Sequence, residues 1–529
     1  MNNPPANTTF PGTMPVLACA GAAEFEKDFF SRPGNNEESF IARAARAIAD
    51  ETAGLFAEIR ARPIRRLCVL AGKGRNAADA LLAAQHLHAE HRCSVGIVLA
   101  EPLEKMSATA TRALQTLLPR KDIALYHWRD AAGADAFLGG ASIDILLDGL
   151  LGHNFRPPLR APHADIVRWA NACAKRFKLR IAVDLPSGIG DTTRADTDLA
   201  LRADATIACG LVKTPLLSPG NAPVRGRLRL ACIGFPNTLG GATRAGARGL
   251  YALGPLRQVR PPFADKRDHG HLLILGGSRC FPGALLMNVR AALRAGVGLL
   301  TVFCPESFHA SLAAAAPEAI WVPWPETPGG ALALEGECLL RERLPNATAL
   351  LCGSGSGTDA ETHALFRSIL TRTPPGCPMV IDADALRPEI LPPCATERPA
   401  PLVLLPHAGE YARLCAGEAG RQALPLREAC ARFHAHIALK GAPTRVADAA
   451  REITVCTGGA ILARGGSGDL LAGITAALFA RRLHADPLRT LACAVAWHGA
   501  AADCVARRHG TEAIATTDIL DGLGEALRK

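Results

Sequence analysis

The chain has 529 residues, too many for one ordinary hydrophobic core, so two large domains are expected. Its 49% hydrophobic and 20% charged residues exclude a disordered chain, and no apolar run reaches the ~18 residues of a membrane helix. The net charge of +10 is scattered and carries no nucleic-acid-binding motif, which argues against nucleic acid and leaves phosphorylated small molecules open as partners.

Residues 1–38 are rich in Asn, Pro and Gly and read as a loose leader. Within them Val16-Leu17-Ala18-Cys19 looks like a lipoprotein cleavage site, but no Lys or Arg precedes it and Asn, Pro and Thr fill the apolar region's place. A helical pattern follows at 39–60. The apolar run 67–71 then ends in Gly72-Lys73-Gly74 and leads into a helix at 77–88. Strand-like runs recur at 94–99, 143–147, 179–183 and 205–208. Helical segments between the first of them predict βα units on a parallel sheet. The pattern breaks at 236–268, where paired glycines and prolines mark a domain junction. It restarts at His271–Leu275 with Gly276-Gly277-Ser278, and continues through strands at 299–303, 349–352, 379–381, 402–405 and 437–439. The end, from Gly468 almost to Lys529, is helical. Seventeen cysteines are spread singly, without CxxC pairs or zinc spacing, which predicts reduced thiols and a cytoplasmic protein.

The strongest motif is Gly465-Gly466-Ser467-Gly468-Asp469, opening a helix at 470–480. Glycines at a helix N-terminus let backbone amides approach an anion, and the helix dipole adds positive potential. An Asp at the end of such a loop can accept the proton of an attacking hydroxyl in phosphoryl transfer. The plainer alternative is that Asp469 only favours the helix N-terminus. Three further segments fall at strand ends, where α/β sites form: Asp382-Ala383-Asp384-Ala385-Leu386, Pro406-His407-Ala408-Gly409-Glu410, and Lys440-Gly441-Ala442-Pro443-Thr444. Each alone is weak, since strand-end Asp and His are often caps. So is the Gly353-Ser354-Gly355-Ser356-Gly357 turn.

In order, Gly276-Gly277-Ser278, Phe281-Pro282-Gly283-Ala284, the DADAL, PHxGE and LKG segments and GGSGD resemble the ADP/ATP-dependent NAD(P)H-hydrate dehydratase family over 250–529. The resemblance implies a ribokinase-like α/β domain. In this family the hydroxyl left by hydration of the nicotinamide ring is phosphorylated, and phosphate elimination restores the double bond. Carried over, it makes Asp469 the general base, with Gly468 and Lys440, Gly441, Ala442, Pro443 and Thr444 holding ADP or ATP with Mg2+. ADP is the expected donor. Ala284, Gly355 and His407, with Asp469, would line the pocket for NADHX or NADPHX. Ser354 and Ser356 stand where the family usually has Pro and Leu.

In the first half three islands fall at strand ends: Gly72 to Asp79, Asp148-Gly149-Leu150-Leu151-Gly152, and Asp184-Leu185-Pro186-Ser187-Gly188. Carboxylates and an amide there can bind a hard cation through oxygen and also face a substrate; Asn76 as a plain helix cap is the alternative. Together the islands resemble the NAD(P)H-hydrate epimerase family, which implies a Rossmann-like parallel sheet over 39–240. On that pattern Asn76, Asp148 and Ser187 bind K+, Asp184 contacts or deprotonates substrate, and Gly152 and Arg156 border its phosphate-bearing part. The family's Asn-Asn-Gly-Gly-Asp-Gly loop is replaced by Arg75, Asn76, Ala77, Ala78, Asp79 and Ala80, and its Thr-Gly by His153-Asn154. Alanine does not adopt positive φ cheaply, and its methyl obstructs a close phosphate, so weakened epimerisation is expected. The resemblances imply small-molecule partners and a homo-oligomer. The competing reading is a ribokinase-like small-molecule kinase with a non-catalytic ligand-binding first half.

Overall fold

The computed structural model describes residues 13–195, 198–235, 247–250, 253, 256, 262–374, 376–391, 400–415 and 423–528. Most of the expected junction, 236–246 and much of 251–261, and residues 1–12 lie outside this set. The chain divides into two compact units.

In the first unit seven parallel strands lie in the order Ile123–His127, Ser94–Leu99, Arg66–Ala71, Ile143–Gly149, Phe177–Val183, Ala205–Cys209 and Arg227–Ala231. The strand order reverses between Arg66–Ala71 and Ile143–Gly149. Crossovers leave in opposite directions there and open a crevice at the strands' carboxyl ends. Those two strands end at the islands Gly72–Gly74 and Asp148–Gly152. Burial on both faces explains their largely apolar sequences. Cys68, Leu70, Leu146 and Ala182 pack with Ile166, Trp169 and Ala170 of the helix His163–Ala172, while Arg75–His91 packs on the same central strands and against Glu37–Ala57.

The loose leader is corrected over 13–38. Thr13–Leu17 is a strand, and its Val16 and Leu17 pair in parallel with Val212 and Lys213. Cys19–Ser31 is a helix. Its first amides are satisfied from far along the chain: Asp191 accepts from Cys19 N at 2.7 Å and from Ala20 N at 3.0 Å. A helix capped by a remote side chain leaves no capping signature in its own sequence. Asn36 then starts Glu37–Ala57, its Oδ1 accepting from Glu38 N at 2.9 Å.

In the second unit the sheet order is Ile320–Trp324, Leu299–Pro305, His271–Leu275, Ala349–Cys352, Met379–Ile381, Leu402–Leu404, Ala435–Leu439, Thr444–Ala447, Glu452–Val455 and Ala247–Leu250. Pairing is parallel except for Thr444–Ala447, which runs antiparallel to both neighbours. The order again reverses at His271–Leu275. Alternate residues feed opposite cores: Leu272 and Ile274 pack with the helices Pro282–Arg294 and Ser467–Ala480, and Leu273 and Leu275 with Ala360–Arg372 and Leu426–Phe433. Ser467–Ala480 is buried over nearly its whole length, and Gly473 lets it meet Pro282–Arg294 closely, since a Cβ there would lie 2.3 Å from Asn288 O. The molecule is therefore α/β in both units, as expected from the strand–helix rhythm.

Candidate active sites

In the second unit the expected residues collect at the carboxyl edge of the sheet. The helix Ser467–Ala480 begins just after Gly466, which is left-handed at φ 87°, so Gly468 and Asp469 form its first turn. A Cβ on Gly468 would lie 3.2 Å from Lys440 Nζ. A side chain at 468 would crowd that ammonium, which lies beside the helix N-terminus, where both favour an anion. Lys440 Nζ donates to Asp382 Oδ1 at 2.9 Å and lies 3.9 Å from Glu410 Oε2. Burial works to lower Lys440, but these two carboxylates outweigh it and raise its pKa. Burial and then the charge of Asp382 push the Asp469 carboxyl up to about 6, against the opposing pull of Lys440. A carboxylate tuned toward neutrality is suited to general-base work.

His407 adjoins Lys440 through a backbone bridge, and its ring is largely exposed. Its Nδ1 accepts from Gly409 N at 3.0 Å, which puts the neutral ring's proton on Nε2, 3.4 Å from Glu410 Oε1. The turn after Lys440 is closed by Thr444 Oγ1, which donates to Gly441 O at 3.1 Å; Gly441 and Ala442 are exposed and Pro443 half-buried. Gly355 has φ 66°, and a Cβ there would meet Phe281 O at 2.6 Å and Ala284 Cβ at 2.9 Å, so Gly355 and Ala284 are neighbours. Ser354 and Ser356 are buried, and the Ser356 hydroxyl has no hydrogen bond.

The first unit holds two linked clusters. Asp148 is fully buried and accepts from Ser187 Oγ at 2.7 Å, Ser187 N at 2.8 Å and Leu150 N at 3.2 Å. Burial raises its pKa to about 6, opposed by the Ser187 hydrogen bonds. The Leu151 peptide ties this pair to Asn76: its N–H donates to Ser187 Oγ at 3.0 Å, and its carbonyl accepts from Asn76 Nδ2 at 2.8 Å. Asn76, Asp148, Ser187 and Gly152 are thus brought together, Gly152 being where a Cβ would lie 3.3 Å from Asn76 Cβ. Arg156 is exposed and does not line the neighbouring cavity.

The second cluster centres on Asp184, which has φ 67° at the end of its strand. Strained backbone of this kind is held only where surroundings over-determine it. Its Oδ1 accepts from Lys213 Nζ and from Cys209 N at 3.2 Å, and its Oδ2 lies 3.2 Å from His153 Nδ1. Lys213 is fully buried, and its ammonium also donates to Cys209 O at 3.0 Å. Burial alone would raise Asp184; Lys213 and the His153 ring outweigh it and hold the carboxyl well below its usual range. His153 Nε2 faces Glu26 Oε2 at 3.6 Å, and Glu26 lies 3.7 Å from Arg75 Nη1. A cavity of about 460 Å³ lies against these groups, lined by Glu26, Glu37, Arg75, His153 and Asn154 among others.

Residues 272–524 match the family described as NAD(P)H-hydrate dehydratase, and residues 37–215 match the YjeF-related protein N-terminus. A bifunctional NAD(P)H-hydrate repair enzyme from Gloeobacter violaceus is 34% identical over 518 residues, 93% of this chain and 94% of the relative. One from Moorella thermoacetica is 32% identical over 486 residues, 88% of each. The chain belongs to the bifunctional NAD(P)H-hydrate repair enzyme family. Among solved structures, an ADP/ATP-dependent NAD(P)H-hydrate dehydratase from Bacillus subtilis, co-crystallised with ATP and Mg2+, is 25% identical with TM-score 0.44, over 53% of this chain and 97% of that one. A ribokinase-like superfamily protein from Enterococcus faecalis is 26% identical with TM-score 0.46, over 55% and 98%.

The alanines that replace the repair family's glycine loop lie within a helix. Ala77, Ala78 and Ala80 are fully buried inside the helix Arg75–His91, none at positive φ, with Gly74 as N-cap. The helix starts at Arg75, two residues before the expected 77, and its alanine side chains are buried in the core. Sequence reasoning assigned no role to Lys213, Glu26, Asp382 or Glu410. A lone Lys inside the apolar stretch 205–217 was a usable signal; Glu26 was hidden in the supposed leader.

Proposed function

We propose that this chain repairs hydrated nicotinamide cofactor. Its second unit phosphorylates the hydroxyl of NADHX or NADPHX and eliminates phosphate to restore the ring double bond, and its first unit interconverts the hydrate's epimers. The observation that carries the first half is Asp469, raised to about 6 beside Lys440 at a helix N-terminus. Asp469 takes the proton of the attacking hydroxyl while the phosphoryl group moves to that oxygen. Lys440 and the amides of Gly468 and Asp469 meet the charge on the transferring phosphate. Lys440, Gly441, Ala442, Pro443 and Thr444 flank the nucleotide, ADP being the preferred donor, and Ala284, Gly355 and His407 border the ring-bearing substrate.

Mg2+ would arrive on the nucleotide phosphates and need only one or two protein carboxylates. Asp382 and Glu410 offer them beside Lys440. Bound there, the ion would neutralise phosphate charge. K+ suits the oxygen set of Asn76, Asp148 and Ser187: no hydrogen bond engages Asn76 Oδ1, and Asp148 and Ser187 each keep an acceptor site after the bonds described. Its charge would offset that of buried Asp148 and the substrate. Gly152 and Arg156 would border the phosphate-bearing part, and Asp184 the reacting part, of the hydrate. All sixteen described cysteines are free thiols, which supports a reducing, cytoplasmic setting.

Incubating the protein with NADHX and either ADP or ATP, and following the return of NADH absorbance, tests the reading. A phosphorylated product that accumulates without NADH would favour a simple kinase instead.

A further inference from the structure

We propose that His153, oriented by the buried Asp184–Lys213 pair, is the group that gives and takes the proton during epimerisation; this rests on the epimerase reading of the first unit. Asp184 is poorly placed for that task. Both of its oxygens are engaged, Oδ1 by Lys213 and Cys209 N and Oδ2 by His153. A carboxylate held in its ionised state by a fully buried ammonium has little tendency to take up a further proton.

His153 has the opposite arrangement. Its Nδ1 is fixed by Asp184 at 3.2 Å, while Nε2, buried and without a hydrogen bond, lies 3.6 Å from Glu26 Oε2, and both residues line the 460 Å³ cavity. An imidazole steered by a carboxylate on one nitrogen and left without a hydrogen bond on the other, in a residue that lines a pocket, matches the general acid–base arrangement of hydrolytic triads. The charged groups around it come from four segments: Glu26 on Cys19–Ser31, Arg75 and Asp79 on Arg75–His91, Asp184 at its strand end, and Lys213 behind Asp184.

The chemistry needs a group that gives and takes one proton. Hydration of an enamine double bond puts the hydroxyl on the carbon beside the ring nitrogen. The doubly protonated His153 ring gives its Nε2 proton to that hydroxyl, and the C–O bond breaks with its electron pair leaving on oxygen as water. The nitrogen lone pair stabilises the resulting cation. Water adds to the opposite face through a new C–O bond, and its surplus proton returns to the imidazole. Atoms and electrons balance without an oxidant or a co-reactant.

The test uses the full chain and chromatographically separated NADHX epimers. Replacing His153→Gln should lower kcat for epimerisation about 10²–10³-fold with KM nearly unchanged. His153→Gly should recover part of that loss on addition of free imidazole, whereas Asp184→Asn should not; a purely structural histidine would show no such rescue. Melting temperatures confirm that each variant is folded, and His153→Thr serves as a second replacement should the Gly variant unfold. A wild type that epimerises alongside His153→Gln and His153→Thr variants that do so at more than half its rate overturns the role of His153 alone. A wild type that does not epimerise at all removes the epimerase reading and this inference with it.

Discussion

Asn288 donates from Nδ2 to the backbone oxygen of Asp469 at 2.7 Å, binding the first turn of one helix to the middle of another. Asn288 is almost completely buried, and Gly473 further along lets the two helices stay in close contact. The carboxylate of Asp469 is thereby set by packing and not by a mobile loop. We expect Asn288→Ala to reduce the dehydratase kcat about tenfold while leaving the nucleotide Kd almost untouched, because misplacing a catalytic group costs rate before affinity. Equal losses in both would mean that the bond merely supports the fold.

Asp469→Asn should lower dehydration about 10²–10⁴-fold with nucleotide binding retained. More than half the wild-type rate in this variant would exclude the residue as the base.

The same residue sets a pH dependence. The base acts as a carboxylate, so the wild-type dehydration rate should climb as pH rises through about 6. Stability runs the other way. A carboxyl whose folded pKa is raised binds its proton more tightly when folded, so stability falls as pH rises from about 4 to about 6 and the ionised form is a burden above that. Asp469→Asn lifts the burden. At pH 7.5 it should melt higher than wild type, by on the order of 1 kcal/mol once partial exposure is discounted, and the advantage should vanish near pH 4. A variant less stable than wild type at pH 7.5 would contradict the assigned direction.

Lys440 and Asp382 are expected to separate affinity from stability. Lys440→Met leaves the Asp382 carboxylate, only 1% exposed, without its cation, which should cost about 3 kcal/mol and weaken ADP binding tenfold or more. Adding Asp382→Asn should restore most of the melting temperature and none of the affinity in calorimetric titrations. If affinity returns as well, Lys440 serves structure rather than nucleotide.

Ala77→Gly and Ala78→Gly offer a direct check on the first unit's altered loop. Read from sequence, they restore a phosphate-friendly turn and lower KM. Placed in the helix Arg75–His91 with both methyls fully buried, each should instead destabilise the unit by about 1 kcal/mol or more and leave KM for the hydrate no better. Thermal melts together with epimerisation kinetics decide between the two.

The fold was legible because central strands such as Arg66–Ala71 and His271–Leu275 are mostly apolar runs with a glycine directly after them. The second site was legible for a related reason: its residues sit within a few positions of strand ends, in short segments such as Lys440–Thr444. Cys19–Ser31 was not, because Asp191, over 170 residues away, supplies its cap. Lys213 and Glu26 escaped for the same reason. Their meaning lies in Asp184 and His153, partners that only the folded sheet brings near.

The forward start of the helix at Arg75 also bears on the heat of binding. A glycine-rich loop must be frozen when a ligand arrives, at roughly 1–2 kcal/mol of backbone entropy per residue. With Gly74 as N-cap, Arg75 to Asp79 are instead held by the backbone hydrogen bonds of the helix Arg75–His91. Association at this edge should therefore carry a small entropic penalty, readable as the −TΔS part of a calorimetric titration with the hydrate.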